Sequence, residues 1–245
     1  GDGDGGDDGE DDASCSSTIT NLAAVASCAR YGDDEYEYDI ELACNPSQSD
    51  VNALMAASFW HESALDICIL GFDNGPECSS ECTDWVFSSD TQANEIEINS
   101  GNKQLCNSFD ISSVSAPLTF ILLDVQLRGR TTYVTPGTNH VLRFVNVNVQ
   151  QSSDCCGTTP AAAIDIGDVT IASVSFEGFV FFNSCRLFST TGTIITLAKS
   201  QDSSLTIANN KYCGVPTITN TISTSSIALT IDYLDGHGAE LVCPA

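Results

Sequence analysis

Basic residues are what this chain has least of. Eight Lys and Arg stand against 33 Asp and Glu, a formal net charge of −25 over 245 residues. Such a chain repels nucleic acid, anionic membranes and polyuronates, and none of these is an expected partner. No apolar run reaches the length of a membrane span, so membrane insertion is not expected. The chain shows neither an initiator Met nor a signal-like apolar run, which is the expectation for a mature, processed polypeptide. N-linked sugar is not expected: the sole N-x-Ser/Thr match, Asn45-Pro46-Ser47, is blocked by its proline, leaving O-linked glycan on Ser or Thr. A nucleophile elbow, a phosphate loop and a dinucleotide fingerprint are also missing.

Cysteine is plentiful by contrast. The twelve are Cys15, Cys28, Cys44, Cys68, Cys78, Cys82, Cys106, Cys155, Cys156, Cys185, Cys213 and Cys243. An even count in a chain with few Lys points to disulfides and an oxidising compartment, which makes all twelve disulfide candidates. Zinc would need clustered pairs with histidine nearby. Cys78-x-x-x-Cys82 is such a pair, but His61, His140 and His237 do not stand at ligand spacing from it. Cys156, Cys185, Cys213 and Cys243 recur at nearly even intervals, which suits bridges between stacked layers of chain.

Charge is uneven along the chain. Residues 1–100 hold 23 acidic residues and one base, Arg30, whereas residues 101–245 hold ten acids and seven bases. Residues 1–30 read as an acidic, Gly/Asp-rich arm. Its leader, GDGDGGDDGEDD, has too little apolar surface to build a core. Asp2, Asp4, Asp7 and Asp8 are candidates for loose Ca²⁺ binding, the one cofactor expectation. They do not form an EF-hand, because Gly6 and Asp7 occupy the wrong positions and Ala13 stands where the bidentate Glu belongs.

Residues 31–245 read as one all-β domain, with acidic, Cys-rich coils and a cap over 31–95 and regular coils over 96–245. Between Tyr31 and Leu42, Tyr36, Tyr38, Ile40 and Leu42 alternate with acids, as a strand with one wet face does. Ser49-Asp50 precedes VNALMAASFW, whose Val51, Leu54, Met55 and Phe59 recur at helical spacing and predict a short capping helix.

A ten-residue frame then repeats. It reads FILLDVQLRG from Phe120, LRFVNVNVQQ from Leu142, VTIASVSFEG from Val169, LTIANNKYCG from Leu205 and LTIDYLDGHG from Leu229. Positions one, three, six and eight are mostly apolar. Two short strands with a corner between them produce that pattern, since alternation places each apolar set on one face. Fainter copies near residues 40, 67 and 96 extend a period of 20 to 40 residues, the mark of a solenoid. Val169, Ile171, Val174 and Phe176 are expected to share a core with Leu205, Ile207 and Tyr212. In GFVFFNSCRLF the aromatics are expected to face inward.

SSLTIANNKYCG and AIDIGDVTIASVSFEGF resemble the coils of right-handed parallel β-helix proteins, the pectin-lyase-like superfamily. The resemblance implies a right-handed solenoid of about seven or eight coils. It also raises polysaccharide cleavage, and Gly236-His237-Gly238 resembles the GHG of polygalacturonases. Their Asn-Thr-Asp, paired aspartates and basic element are missing here, so no catalytic residue is expected. Lyases of the superfamily use basic residues, and Arg128, Arg130 and Arg143, with Asp124, are the nearest such group. The expected role is an extracellular, disulfide-stapled structural subunit that assembles with itself into a fibre, appendage or surface layer, residues 1–30 packing on a neighbour. The alternative is a carbohydrate-active or carbohydrate-binding β-helix, with a calcium-dependent adhesin behind both.

Overall fold

A computed structural model describes residues 38–42, 46–61, 66–70, 82–130, 132–151, 163–165, 171–183, 188–189, 194–199, 204–208 and 229–231. The leader with Asp2, Asp4, Asp7 and Asp8, the evenly spaced cysteines 156, 185, 213 and 243, Val169, Tyr212 and His237 lie outside these residues. Strands dominate, and every strand pair is parallel.

The strands form three sheets that the chain visits in rotation. β1 (Tyr38–Glu41) and β2 (Asp66–Leu70) open the first sheet, with the helix α1 (Gln48–Met55) between them; β3 (Asp84–Val86) opens the third. From there each pass crosses first, second and third sheets in turn. β4 (Glu95–Asn99), β5 (Gln104–Leu105) and β6 (Ser108–Asp110) make one pass. β7 (Leu118–Leu123), β8 (Gln126–Arg128) and β9 (Val134–Thr135) make the next. β10 (His140–Val145), β11 (Asn148–Gln150) and β12 (Ile164–Asp165) follow, then β13 (Ile171–Glu177), β14 (Phe179–Asn183) and β15 (Phe188–Ser189). β16 (Ile194–Lys199) ends the first sheet, while β17 (Ser204–Ala208) and β18 (Leu229–Ile231) end the second.

Register stacks like on like. Ile67, Ile96, Phe120, Leu142 and Val174 stand in one column of the first sheet, and Ile69, Ile98, Leu122, Phe144 and Phe176 in the next. All ten are buried. The rings interlock across layers: Phe144 lies 5.8 Å from Phe176 and 5.6 Å from Phe182, and Phe109 lies 5.5 Å from Phe120. The outward row of the same sheet runs Cys68, Glu97, Ile121, Arg143, Ser175. Ile121, Leu123 and Val145 form a second, smaller buried cluster there.

The corner expected inside the repeat is real, and its chemistry is local. Asp124 and Asn146, the fifth residue of their frames, hold left-handed backbone at φ 50° and 53°. Short side chains that bond to nearby backbone tolerate this region best. In the next layer the corner is Gly178, at φ 62°. Gly178 therefore corresponds to Asp124, and the frame from Val169 is five residues out of phase. Leu142 pairs with Val174, and Leu205 pairs with Val180 in the second sheet. Apolar pairs two apart recur in every strand of such a fold, so matching them by pattern cannot tell a first-sheet pair from a second-sheet pair.

α1 begins one turn earlier than its apolar spacing suggested. The cap is Ser47: its hydroxyl accepts from the Asp50 N–H while the Asp50 carboxylate accepts from the Ser47 N–H, a closed capping box. Val51 and Leu54 are buried, and a 3-10 turn over Ser58–His61 buries Phe59 and Trp60. The helix covers a sheet edge, as a cap should. The Gln48 amide donates to the Asp84 carbonyl at 2.9 Å and accepts from the Asp84 N–H at 2.8 Å. One side chain thus occupies both backbone groups that Asp84 would offer to a further strand beside β3.

Cys82 and Cys106 form a disulfide one layer apart, 24 residues in sequence and 5.0 Å between Cα atoms. Cys68 is disulfide-bonded as well, and no free cysteine occurs among the described residues.

Candidate functional site

Most inward positions are filled by apolar side chains, His140 being an exception, so the open grooves lie along outward rows and corners. Two grooves stand out there.

The first lies on the second sheet. Leu105, Leu127, Val149 and Phe182 point inward, and the residues between them point out. Gln104, Gln126, Asn148 and Phe181 make one outward row; Arg128, Gln150 and Asn183 make the next. The corner residues Asn102, Asp124 and Asn146 border them. The Asn146 amide donates to the Asp124 carboxylate at 3.0 Å and accepts from the Phe179 N–H at 3.0 Å. A Cβ on Gly178 would meet that Asn146 oxygen at 2.0 Å, so the corner accepts only glycine under this side chain. Held this way, Phe179 is 57% exposed. Asn102, Asp124, Gln126, Asn146, Asn148 and Phe179 line a groove of about 340 Å³.

The second groove, about 370 Å³, lies on the third sheet and is lined by Asp84, Ser108, Asp110, Arg130, Thr132 and Thr135 among others. Arg130 crosses it. Its guanidinium pairs with Asp84, donates to Ser108 Oγ at 3.0 Å and donates to the Cys82 carbonyl at 3.3 Å. Burial holds this guanidinium below its ordinary pKa, while Tyr133 acts in the opposite sense. Arg remains a cation throughout. It serves here as a strut rather than an open anion site.

The arginines expected to gather do not. Arg128 sits on the second sheet, Arg130 reaches across the third, and Arg143 projects from the first, where it makes bonds of 2.9 and 3.1 Å to Glu177. Asp124 bonds Asn146 instead of an arginine. Nearness in sequence misled because successive strands of one pass belong to different sheets. The aromatic run was half legible: Val180 and Phe182 are inward, whereas Phe179 is exposed. Asp and Asn at the fifth frame position were the visible sign of the corner and of the groove beside it.

Among the described residues no cluster of His, Cys, Asp or Glu is arranged to hold a metal ion, and no helix is long and apolar enough to cross a membrane. The class that these observations define is an all-β protein of three parallel sheets. Comparison with family models, with curated proteins and with solved structures finds no match.

Proposed function

We propose that the protein is a secreted, right-handed parallel β-helix of about seven or eight coils, of pectin-lyase-like architecture, that binds a neutral polysaccharide along its second sheet without cleaving it. The observation that carries this reading is Phe179, exposed beside a ladder of side-chain amides. A sugar ring presents a C–H face and a rim of hydroxyls. An exposed aromatic takes the first, and amides, each both donor and acceptor, take the second. Parallel strands repeat every ~4.8 Å, so the face offers its groups at regular steps to a regular polymer. Charge fits a neutral ligand: the two outward rows and their corner contain one acid, Asp124, and one base, Arg128. Hydrolysis by paired carboxylates needs a second acid. The disulfide fits an oxidising compartment.

Affinity electrophoresis through neutral glucan, xylan and mannan tests the reading. Retardation by at least one polymer is expected, with Phe179→Ala weakening it roughly tenfold, or about 1.4 kcal/mol. Migration unaffected by every polymer, or a variant that binds like the parent, overturns it.

Self-assembly into a fibre or surface layer is the second reading. It is favoured by β1, which among the described residues is the edge strand of the first sheet and offers its free side to a strand of a neighbour. On this reading, deleting Gly1–Arg30 yields a folded protein that no longer assembles. An oligomer that survives the deletion, or an intact chain that is monomeric at all concentrations, counts against it.

A further inference from the structure

His140 opens β10 and is buried, 3% exposed, with Leu118 of β7 as its register partner. Both ring nitrogens are committed. Nδ1 accepts from the Gly137 N–H at 2.9 Å, and Nε2 lies 3.0 Å from the Val114 carbonyl. A ring nitrogen that accepts carries no proton, so the neutral ring holds its proton on Nε2 and donates it to Val114. One imidazole thereby joins the 111–117 segment, which follows β6, to the 136–139 turn, which follows β9.

The contact is close. A Cβ on Gly137 would come within 2.8 Å of the Ser112 carbonyl oxygen and 2.9 Å of His140 Cε1, so only glycine lets the turn lie against both. The strands on either side are tied in register: the Ile111 N–H donates to the Thr135 carbonyl at 2.9 Å, and Asp110 stands opposite Thr135. Asp110 and Thr135 both line the third-sheet groove. The imidazole contact therefore fastens the end of that groove.

A second ring proton would displace the bond that Nδ1 accepts from Gly137. It would sit on Nδ1 and face the Gly137 N–H, donor against donor. The packed elements supply little compensating charge. Segments 111–118 and 132–139 contain no Asp, Glu, Lys or Arg, and their one titratable side chain, Tyr133, donates to the Gln150 carbonyl. The Asp110 carboxylate accepts from the Ser112 N–H and hydroxyl at 3.0 and 2.6 Å. Arg143, further along β10, is paired with Glu177, and Glu95 of β4 stands opposite Thr119 in β7. Burial accordingly holds the His140 pKa below its ordinary value, opposed by the carbonyls of Val114 and Ala116.

We propose that His140 is an acid-released latch: protonation breaks its bond to Gly137, so that the 136–139 turn comes away from an imidazole still bonded to Val114 and the end of the third-sheet groove opens. Linkage sets the size of the effect. An opening that admits one proton becomes about tenfold more populated per pH unit below the ordinary His pKa of ~6.5, until the closed form itself protonates.

Amide hydrogen exchange of the whole ¹⁵N-labelled protein tests the latch, with each rate divided by its intrinsic rate at that pH. Gly137 protection is expected to fall roughly tenfold per unit below about pH 6.5. Phe109, whose N–H donates to Tyr133 at 2.7 Å across β6 and β9, is expected to keep its protection. His140→Gln, which cannot titrate, should abolish the pH dependence; if that variant does not fold, the measurement on the native chain decides alone. Gly137 protection that is flat with pH, or that falls only in step with Phe109, overturns the proposal. So does a ring ¹⁵N spectrum at neutral pH that puts the proton on Nδ1.

Discussion

Asn146 does three things at once: it turns the chain at φ 53°, holds Asp124 one layer away and accepts the Phe179 N–H in the other direction. Alanine would keep the left-handed backbone without any of the bonds that make it tolerable. Asn146→Ala should therefore cost about 1–3 kcal/mol in urea unfolding and leave Phe179 less ordered. Asn146→Gly, which removes the bonds but not the permitted backbone, should cost less; equal losses would show that the ladder contributes nothing. Core positions sit on a larger scale. Phe144 touches Phe176 and Phe182 in one buried cluster, so Phe144→Ala should cost about 3–5 kcal/mol. A loss below 1 kcal/mol would mean that those rings do not pack as described.

At the scale of elements, the apolar pattern of the frames from Phe120 and Leu142 was enough to predict strands, their inward faces and a corner between them, because period-two burial and the odd step that breaks it are both local. The phase of the later copies was not legible. β13 and β14 are joined through Gly178, and the decision between Val169 and Val174 as the partner of Leu142 belongs to register with the next layer. The grooves were harder still, since they join residues from successive passes. The same holds for the helix: its apolar spacing was visible, but only contact with β3 reveals Gln48 as an edge cap. Gln48→Ala should leave the fold intact and expose the β3 edge. Sedimentation velocity is expected to detect self-association in the variant beyond that of the parent; identical profiles would deny the edge-capping role. The Cys82–Cys106 bridge closes a loop of 24 residues between layers. Replacing both cysteines with alanine should lower stability by roughly 2–4 kcal/mol, mainly through the unfolded chain.

Across the whole molecule, a stack of parallel strands carries an outward face of amides and aromatics on its second sheet. Acid should weaken the stack through His140. Its folded pKa lies below the unfolded value, so the unfolded chain takes up the proton first. Stability is complete above the ordinary His pKa of ~6.5 and declines as pH falls from there toward the folded value. His140→Gln should remove that part of the slope in a urea series. The proposed function depends on the second-sheet face being the binding surface. Titrating labelled protein with a neutral oligosaccharide derived from whichever polymer retards it, and following amide-side-chain and aromatic resonances, addresses that claim directly. Gln126, Asn148 and Phe179 are expected to shift together while Ser108 and Thr135 on the third sheet stay fixed. Shifts confined to the third sheet, or none at saturating sugar, would contradict it.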